Sequence, residues 1–202
     1  ILVIDYMYDD GATADVGAVY LYDGKTYALI SMLKGSHTND HVGYSTSQLV
    51  GSDYILILSP DWGDNDEGAI TFCSFQTGCS GVVSSANSLV GSNAGDALGS
   101  NFGTAFLSNN DYVIYTPQWG VNDVGAVTYC SGVTGCRAVI SSSNSLVGSN
   151  ASDQISSGGV HELRNGGYVV RSPNWGTNDE GAVTWCSAAG CTGTVSSSNS
   201  LV

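Results

Sequence analysis

The chain has 202 residues, 42% of them hydrophobic, which is enough to form a core in one domain or in several repeats that share one. Lys and Arg number 5 against 18 Asp and Glu, and the formal net charge of −13 argues against binding to nucleic acid or anionic lipid, because like charges repel. No apolar run approaches the roughly 20 residues that would span a bilayer, so we expect no membrane insertion. The 27 Gly and 3 Pro suit short strands joined by tight turns.

One stretch is written three times with few changes. Each copy has a Tyr-led apolar strand, a proline, a tryptophan, an Asn-Asp pair, a Gly-Ala strand and a cysteine; the prolines are 57 and 56 residues apart, at Pro60, Pro117 and Pro173. A fixed period of this size predicts a solenoid or a propeller, because one unit cannot bury its apolar face alone. The chain is interpreted as a single repeat domain, 1–202, with units at approximately 1–43, 44–99, 100–156 and 157–202.

The residues before Tyr54 form a divergent first copy, because Asp15-Val16-Gly17-Ala18 aligns with the Gly-Ala strand of the later copies. Asp23-Gly24 indicates a tight hairpin in this copy. The first residue is Ile1 and no signal peptide is present, so we expect either a mature, processed product or a piece of a longer protein. Because the strand that should precede Ile1 is missing, we expect another segment or chain to complete the edge of this unit.

Six cysteines occur as three local pairs, each flanking a predicted turn: Cys73 and Cys79, Cys130 and Cys136, and Cys186 and Cys191. The pattern predicts one disulfide that locks the same β-hairpin in each of the last three units. A metal site is the alternative, but no His recurs beside the pairs, and two cysteines are too few ligands for zinc. Disulfides imply an oxidising compartment.

The predicted fold class is all-β, since no segment of useful length shows helical periodicity. Each full unit is expected to contain about four short antiparallel strands, at 102–107, 112–116, 126–130 and 137–142 in the third unit. Four-stranded units at this period are typical of propeller blades, so we predict a β-propeller-like tandem repeat of about four blades, of which the first is incomplete. A β-solenoid is the second choice, although its coils are usually shorter. The recurring Leu89-Val90 is interpreted as an apolar plug between units.

Short motifs in the chain resemble a known repeat family. Val42-Gly43 and Leu98-Gly99 match an apolar residue plus Gly that opens one strand, and Ser59-Pro60 and its equivalents match the closing segment of another. These motifs resemble the FG-GAP repeat of integrin-α-type β-propellers and of bacterial and archaeal secreted, adhesin-like surface proteins. The resemblance implies a propeller fold and an extracellular, adhesive role. The calcium loop of that family is not matched, because Gly51-Ser52-Asp53 stands in its place.

Two sets of repeated side chains are candidate sites. The first is an aspartate two residues before the repeat glycine, which could bind calcium because hard cations prefer clustered oxygens, or could simply hold the loop: Asp66, Asp123 and Asp179. Asp40, Asp96 and Asp153 carry the same two alternatives. The second set could stack on sugar rings or pack against a neighbouring unit: Trp62, Trp119 and Trp175. Trp185, on a strand, is expected to pack.

No residue constellation indicates catalysis. His37, His41 and His161 do not recur together, and no serine lies in a G-x-S-x-G elbow. We therefore expect no enzyme and no cofactor, apart from possible calcium. Asn150-Ala151-Ser152 matches the N-glycosylation pattern.

Three classes of function follow. The first is an extracellular structural or adhesive repeat module that presents rigid β-blades, which could assemble end to end into fibres through self-association of neighbouring repeats. The second is a lectin-like propeller that binds carbohydrate, surface glycans or proteins through the repeated tryptophans. The third, an enzyme, has no supporting residues. The expected location is the cell surface or the extracellular space.

Overall fold

A computed structural model describes residues 1–45 and 47–202. Contacts divide them into two compact units: the first comprises Ile1–Ser100 and Gly135–Val139, and the second comprises Asn101–Thr134 and Ile140–Val202. In the described residues there is no helix; the strands, in chain order, are β1 (Leu2–Asp5), β2 (Ala18–Tyr22), β3 (Leu29–Lys34), β4 (Gln48–Val50), β5 (Tyr54–Ser59), β6 (Ala69–Ser74), β7 (Gly81–Val82), β8 (Ser88–Val90), β9 (Gly103–Phe106), β10 (Tyr112–Thr116), β11 (Ala126–Cys130), β12 (Ala138–Val139), β13 (Leu146–Val147), β14 (Val160–Glu162), β15 (Tyr168–Ser172), β16 (Ala182–Cys186), β17 (Gly193–Thr194) and β18 (Ser200–Leu201). The prediction of an all-β fold is confirmed.

The strands form four open sheets, two in each unit. In the first unit the sheet orders are β1-β2-β3-β7 and β12-β8-β6-β5-β4. In the second unit they are β17-β13-β11-β10-β9 and β14-β15-β16-β18. Neighbours are antiparallel except at three positions, where β7 pairs with β3, β12 with β8, and β17 with β13 in parallel. The sheets of this tandem repeat are therefore open, and no closed propeller is defined by the described residues.

The fourth strand of each repeat is not the one that the sequence predicted. Leu89 and Leu146, expected as apolar plugs, belong to β8 and β13, which pair with β6 and β11 of their own repeats. The predicted fourth strand of the third repeat, at 137–142, shrinks to β12 and pairs with β8, a strand of the preceding repeat. A segment of only two residues carries no periodicity, so the sequence could not show which sheet it joins.

Hydroxyl pairs, buried in the second and third repeats and part-buried in the fourth, favour one register between these strands. Thr71 Oγ1 and Ser88 Oγ lie 2.7 Å apart. The equivalent hydroxyls are also 2.7 Å apart in the third repeat, Thr128 with Ser145, and in the fourth, Thr184 with Ser200. A buried hydroxyl without a partner would be costly, so each pair favours one register over its neighbours. The Ser-Leu-Val segments are held as strands for this reason.

Each unit has its own apolar core, built from side chains that alternate along the strands. In the first unit, Ile55 and Ile57 of β5 pack with Val19, Leu33 and other buried residues. In the second unit, Val113 of β10 and the buried Tyr168 of β15 pack with Ile155. Burial raises the pKa of the Tyr168 hydroxyl well above its usual range.

All six cysteines are disulfide-bonded, which confirms one disulfide in each of the last three repeats. Cys73 bonds to Cys79 and Cys186 to Cys191, and each closes a tight turn with a backbone bridge, Ser74 to Gly78 and Ser187 to Gly190. The disulfides indicate an oxidising environment. Across the described residues, no helix is both long enough and apolar enough to cross a membrane.

Candidate functional site: the repeat junction

A glycine loop of one shape recurs in all four repeats, directly before the Ala-Val strand. Its glycine has φ of +72°, +76°, +79° and +81°, at Gly17, Gly68, Gly125 and Gly181 respectively. The aspartate two residues earlier also has positive φ, between +53° and +57°, at Asp15, Asp66, Asp123 and Asp179. Aspartate and glycine are residues that adopt this left-handed conformation at low cost. The loop is thus set by its own sequence in each repeat.

In three repeats a short segment lies in this loop; we call these segments the connectors: residues 35–42, 91–98 and 148–155. Within the first unit, Gly91 N donates to Gly68 O at 3.0 Å, and Leu98 N donates to Glu67 O at 3.2 Å. Within the second, Gly148 N donates to Gly125 O at 3.2 Å, and Ile155 N donates to Val124 O at 3.1 Å. Each connector ends in an apolar residue that is almost fully buried: Val42, Leu98 or Ile155.

The loop glycines have no space for a side chain where a connector is present. A Cβ on Gly68 would overlap the backbone N of Leu98, and a Cβ on Gly125 would overlap the backbone N of Ile155. A Cβ on Gly17 would likewise overlap the backbone of Val42. These glycines are therefore required both for positive φ and for the close approach of the connector.

In two of the connectors a buried aspartate accepts a hydrogen bond from the Trp-Gly loop of the following repeat. Asp153 is fully buried; its Oδ2 accepts the N–H groups of Ser149 and Asn150 at 2.7 and 2.8 Å, and its Oδ1 accepts the N–H of Gly176 at 3.0 Å. Asp40 is also fully buried and makes the equivalent bonds to Ser36, His37 and Gly63. Asp96 Oδ2 likewise accepts the N–H groups of Ser92 and Asn93.

The charge on Asp153 is stabilised by these bonds. Burial raises the pKa of its carboxyl, but the N–H groups of Asn150, Ser149 and Gly176 lower it by more, so that the pKa lies below its ordinary value. An ionised carboxylate that accepts several backbone bonds joins segments 23 residues apart in the sequence. These aspartates are therefore junction residues.

The aspartates singled out as calcium candidates are turn residues in this structure. Asp66 and Asp179 are exposed, and the N–H of Asp123 donates to Gly120 O at 3.1 Å within its turn. Among the described residues no group of three or more His, Cys, Asp or Glu is placed to hold a metal ion.

The loop is instead braced by a glutamate that the sequence reasoning missed. In the fourth repeat Glu180 accepts the N–H of Asn178 at 3.1 Å, which lowers the pKa of its carboxyl. Glu67 does the same in the second repeat.

The repeated tryptophans are half-buried. Trp62 lies against the core of the first unit and Trp175 against the core of the second. The indole N–H groups of Trp62, Trp119 and Trp175 are all buried and have no hydrogen-bond partner among the described residues. A buried polar atom at the same place in three repeats favours packing of the ring as the reason for these tryptophans.

Two other predicted positions lie on the surface. Trp185 is 57% exposed, so the prediction that it packs is wrong for this structure. The equivalent rings differ because each is covered by a hairpin glycine of the following repeat: Gly135 contacts Phe72, and Gly190 contacts Tyr129. Asn150 is exposed, and its Nδ2 donates to Ser149 Oγ at 3.2 Å.

The fold and the site define a protein of tandem β-repeats in which connectors lie in glycine loops and two buried aspartates, Asp40 and Asp153, bond to the loop of the following repeat. The chain belongs to the family described as "Repeat of unknown function (DUF5650)", whose model matches residues 48–100, 106–157 and 162–202. The resemblance to FG-GAP repeats is therefore wrong, because the three matched repeats belong to a different family. A search among curated proteins finds no match to this chain.

Proposed function

We propose that this chain is an extracellular structural or adhesive repeat module that presents rigid β-sheets and acts through contacts between repeats rather than through catalysis. The observation that carries the proposal is the sharing of sheets between repeats. In the first unit β7 of the second repeat completes the sheet of the first, and in the second unit β17 of the fourth repeat completes the sheet of the third. A repeat joined in this way cannot separate from its neighbour without exposing a strand edge.

Three further features support a scaffold role. The disulfides brace the hairpins that carry the shared strands, and they suit an oxidising, extracellular setting. The buried Asp40 and Asp153 bond their connectors to the next loop. The net charge of −13 favours solubility and disfavours contact with polyanions. Arrangement of the sheets as propeller blades remains part of this proposal, and a low-resolution image of the particle tests it.

Carbohydrate binding through Trp62, Trp119 and Trp175 is the alternative. It requires rings that a sugar can reach; the three residues are half-buried, and the indole N–H group of each one is buried and so is not available to a sugar hydroxyl. The burial of these groups favours the scaffold.

A glycan array separates the two functions. The scaffold proposal expects no glycan binding by the native chain. Glycan binding that is lost in Trp175→Ala, but kept in the exposed-site control Trp185→Ala, would establish the lectin function instead. Circular dichroism of both variants checks that each is folded. Light scattering over a dilution series then measures self-association. The proposal expects the particle size to fall as the protein is diluted. A protein that stays monomeric and binds no surface component contradicts the proposal.

A further inference from the structure

Three aromatic rings meet where the first repeat contacts its connector. We call them the ring cluster; it consists of Tyr6, His41 and Tyr44. The ring of Tyr44 lies edge-on to that of Tyr6, with the centroids 5.3 Å apart, and its centroid is 5.9 Å from that of His41. Tyr6 and His41 complete the triangle at 6.4 Å. Two neighbouring rings therefore hold the side chain of Tyr44 in place, although the residue is 56% exposed.

A carboxylate lies beside the ring cluster. His41 Nδ1 donates to Asp61 Oδ2 at 2.9 Å. Asp61 Oδ1 accepts no hydrogen bond from the described residues, and 35% of the Asp61 side chain is exposed. One oxygen thus orients the carboxylate, and the other is left for a ligand. The side chain of Asp64, 77% exposed, adds negative charge to the same loop.

The junctions between repeats do not require these rings or this charge. In the third junction a neutral pair takes the place of His41 and Asp61, where Asn174 Nδ2 donates to Gln154 Oε1 at 2.8 Å. The backbone is the same in both, since the N–H of Tyr44 donates to His41 O at 2.8 Å and that of Ser157 to Gln154 O at 2.9 Å. The ring cluster is therefore additional to what a junction needs in order to form.

The ring cluster is accessible because of its place in the repeat. Ser100 and Ser157, which occupy the place of Tyr44 at the next two junctions, are exposed as Tyr44 is. Each of the three residues has one repeat before it and one after it in the chain. Exposure at this place is a property of the repeat, so a ligand can reach the ring of Tyr44.

We propose that the ring cluster and Asp61 bind a guanidinium group, the side chain of an exposed arginine on a partner protein. A guanidinium stacks on an aromatic face while its N–H groups donate to a carboxylate. Tyr44 supplies the face and Asp61 Oδ1 supplies the acceptor. This inference deepens the proposed function, because it gives the class of partner that an adhesive module would hold, and it rests on that function only for its biological setting.

The charge of the chain favours this ligand over a neutral one. A formal net charge of −13 attracts a basic partner and repels an acidic one. A sugar also stacks on tyrosine, but a neutral sugar gains nothing from the net charge. An arginine gains from the ring, from the carboxylate and from the field of the whole chain.

The test titrates the full chain, with its disulfides intact, with the end-blocked peptide Gly-Arg-Gly at low salt. Binding is followed by the NMR shifts of backbone amides. We expect saturable shifts at Tyr6, His41, Tyr44 and Asp61, with Ser157 at the third junction unchanged. The neutral peptide Gly-Gln-Gly should bind about tenfold more weakly or worse, because it lacks both the cation–π contact and the ion pair.

Matched variants borrow side chains from the other repeats of the chain. Tyr44→Ser introduces the residue found at positions 100 and 157, and Asp61→Asn the residue found at 174, so both variants should fold, which circular dichroism checks. Each should weaken the binding of Gly-Arg-Gly by about threefold or more. Tyr27→Ser removes another exposed tyrosine and should leave binding unchanged.

The inference is overturned by an absence of saturable shifts, by equal affinity for Gly-Gln-Gly, or by binding that neither Tyr44→Ser nor Asp61→Asn weakens. Methyl glucoside that binds at the same residues more tightly than Gly-Arg-Gly would make the ring cluster a sugar site and would also overturn it. The proposed function is tested separately, by self-association on dilution and by Trp175→Ala on the glycan array. A failure of one is therefore distinguishable from a failure of the other.

Discussion

Alanine at Gly125 and alanine at Gly181 should have very different effects on stability, although the two glycines occupy the same place in successive repeats. Their φ angles are +79° and +81°, so the strain of an L-residue in the left-handed region is shared, at about 1 kcal/mol. Only at Gly125 does the new Cβ also meet the connector, overlapping the backbone N of Ile155 and lying 2.9 Å from its O.

The extra cost at Gly125 follows from what the connector would lose on moving away. Ile155 is fully buried, and exposing its side chain costs about 2 kcal/mol. The bonds from Ile155 N to Val124 O at 3.1 Å and from Gln154 N to Asp123 O at 3.0 Å contribute about 1 kcal/mol each. We therefore expect Gly125→Ala to lower the free energy of unfolding by about 5 kcal/mol and Gly181→Ala by about 1 kcal/mol.

Urea unfolding, followed by circular dichroism with the disulfides intact, measures both values. Equal losses of stability in the two variants would refute the reasoning, because they would show that the backbone strain alone matters and that the connector does not press on the loop. Gly11→Ala is the control for backbone strain in open space, because Gly11 has φ +67° and no atom lies near an added Cβ. Its loss of stability should resemble that of Gly181→Ala.

Three other perturbations test the junction and the core. Asp153→Asn should reduce stability at neutral pH and make the fall of stability in acid less steep. The pKa of Asp153 is lowered in the folded protein, so its carboxylate stabilises the fold fully above the ordinary Asp pKa of about 3.9. This contribution is lost as the pH falls through the pKa of the folded state. Unfolding measured from pH 7 to pH 2 checks this, and an Asp153→Asn variant whose stability falls in acid as steeply as that of the native chain would contradict it. Trp175→Ala should cost about 3 kcal/mol because the ring packs against the core, whereas the exposed Trp185→Ala should cost about 1 kcal/mol or less; equal costs in thermal melts would contradict the assigned packing. Reduction of the three disulfides should remove about 2 kcal/mol for each closed hairpin, read as a lower midpoint in urea, and an unchanged midpoint would argue against their bracing role.

The sequence predicted those features that depend on neighbouring residues. Tyr-led apolar strands, the Gly-Ala strands and the turns between paired cysteines are all local signals, and the structure has strands at Tyr112–Thr116 and Ala126–Cys130 where they were expected. The disulfide pairing followed from the same short spacing. Alternating apolar residues and turn glycines are sufficient to fix such elements.

The sequence could not predict the long-range pairings. The carboxylate of Asp153 accepts a hydrogen bond from Gly176, and no pattern in either stretch of sequence identifies the other as its partner. Strand β7 has two residues and joins β3 of the preceding repeat, a pairing too short to leave a pattern. The FG-GAP resemblance failed for a related reason: Val42-Gly43 matched a short motif, but Val42 is in fact the buried end of a connector.

The sharing of strands between repeats has a consequence for how such a chain can change its length. Every element of a junction, from the connector to the shared strand, lies within one period of about 56 residues on either side of it. Duplication or loss of one whole period in the gene would recreate the same junction, whereas loss of part of a period would leave a strand without its partner sheet. Proteins of this design are therefore expected to vary in length by whole repeats.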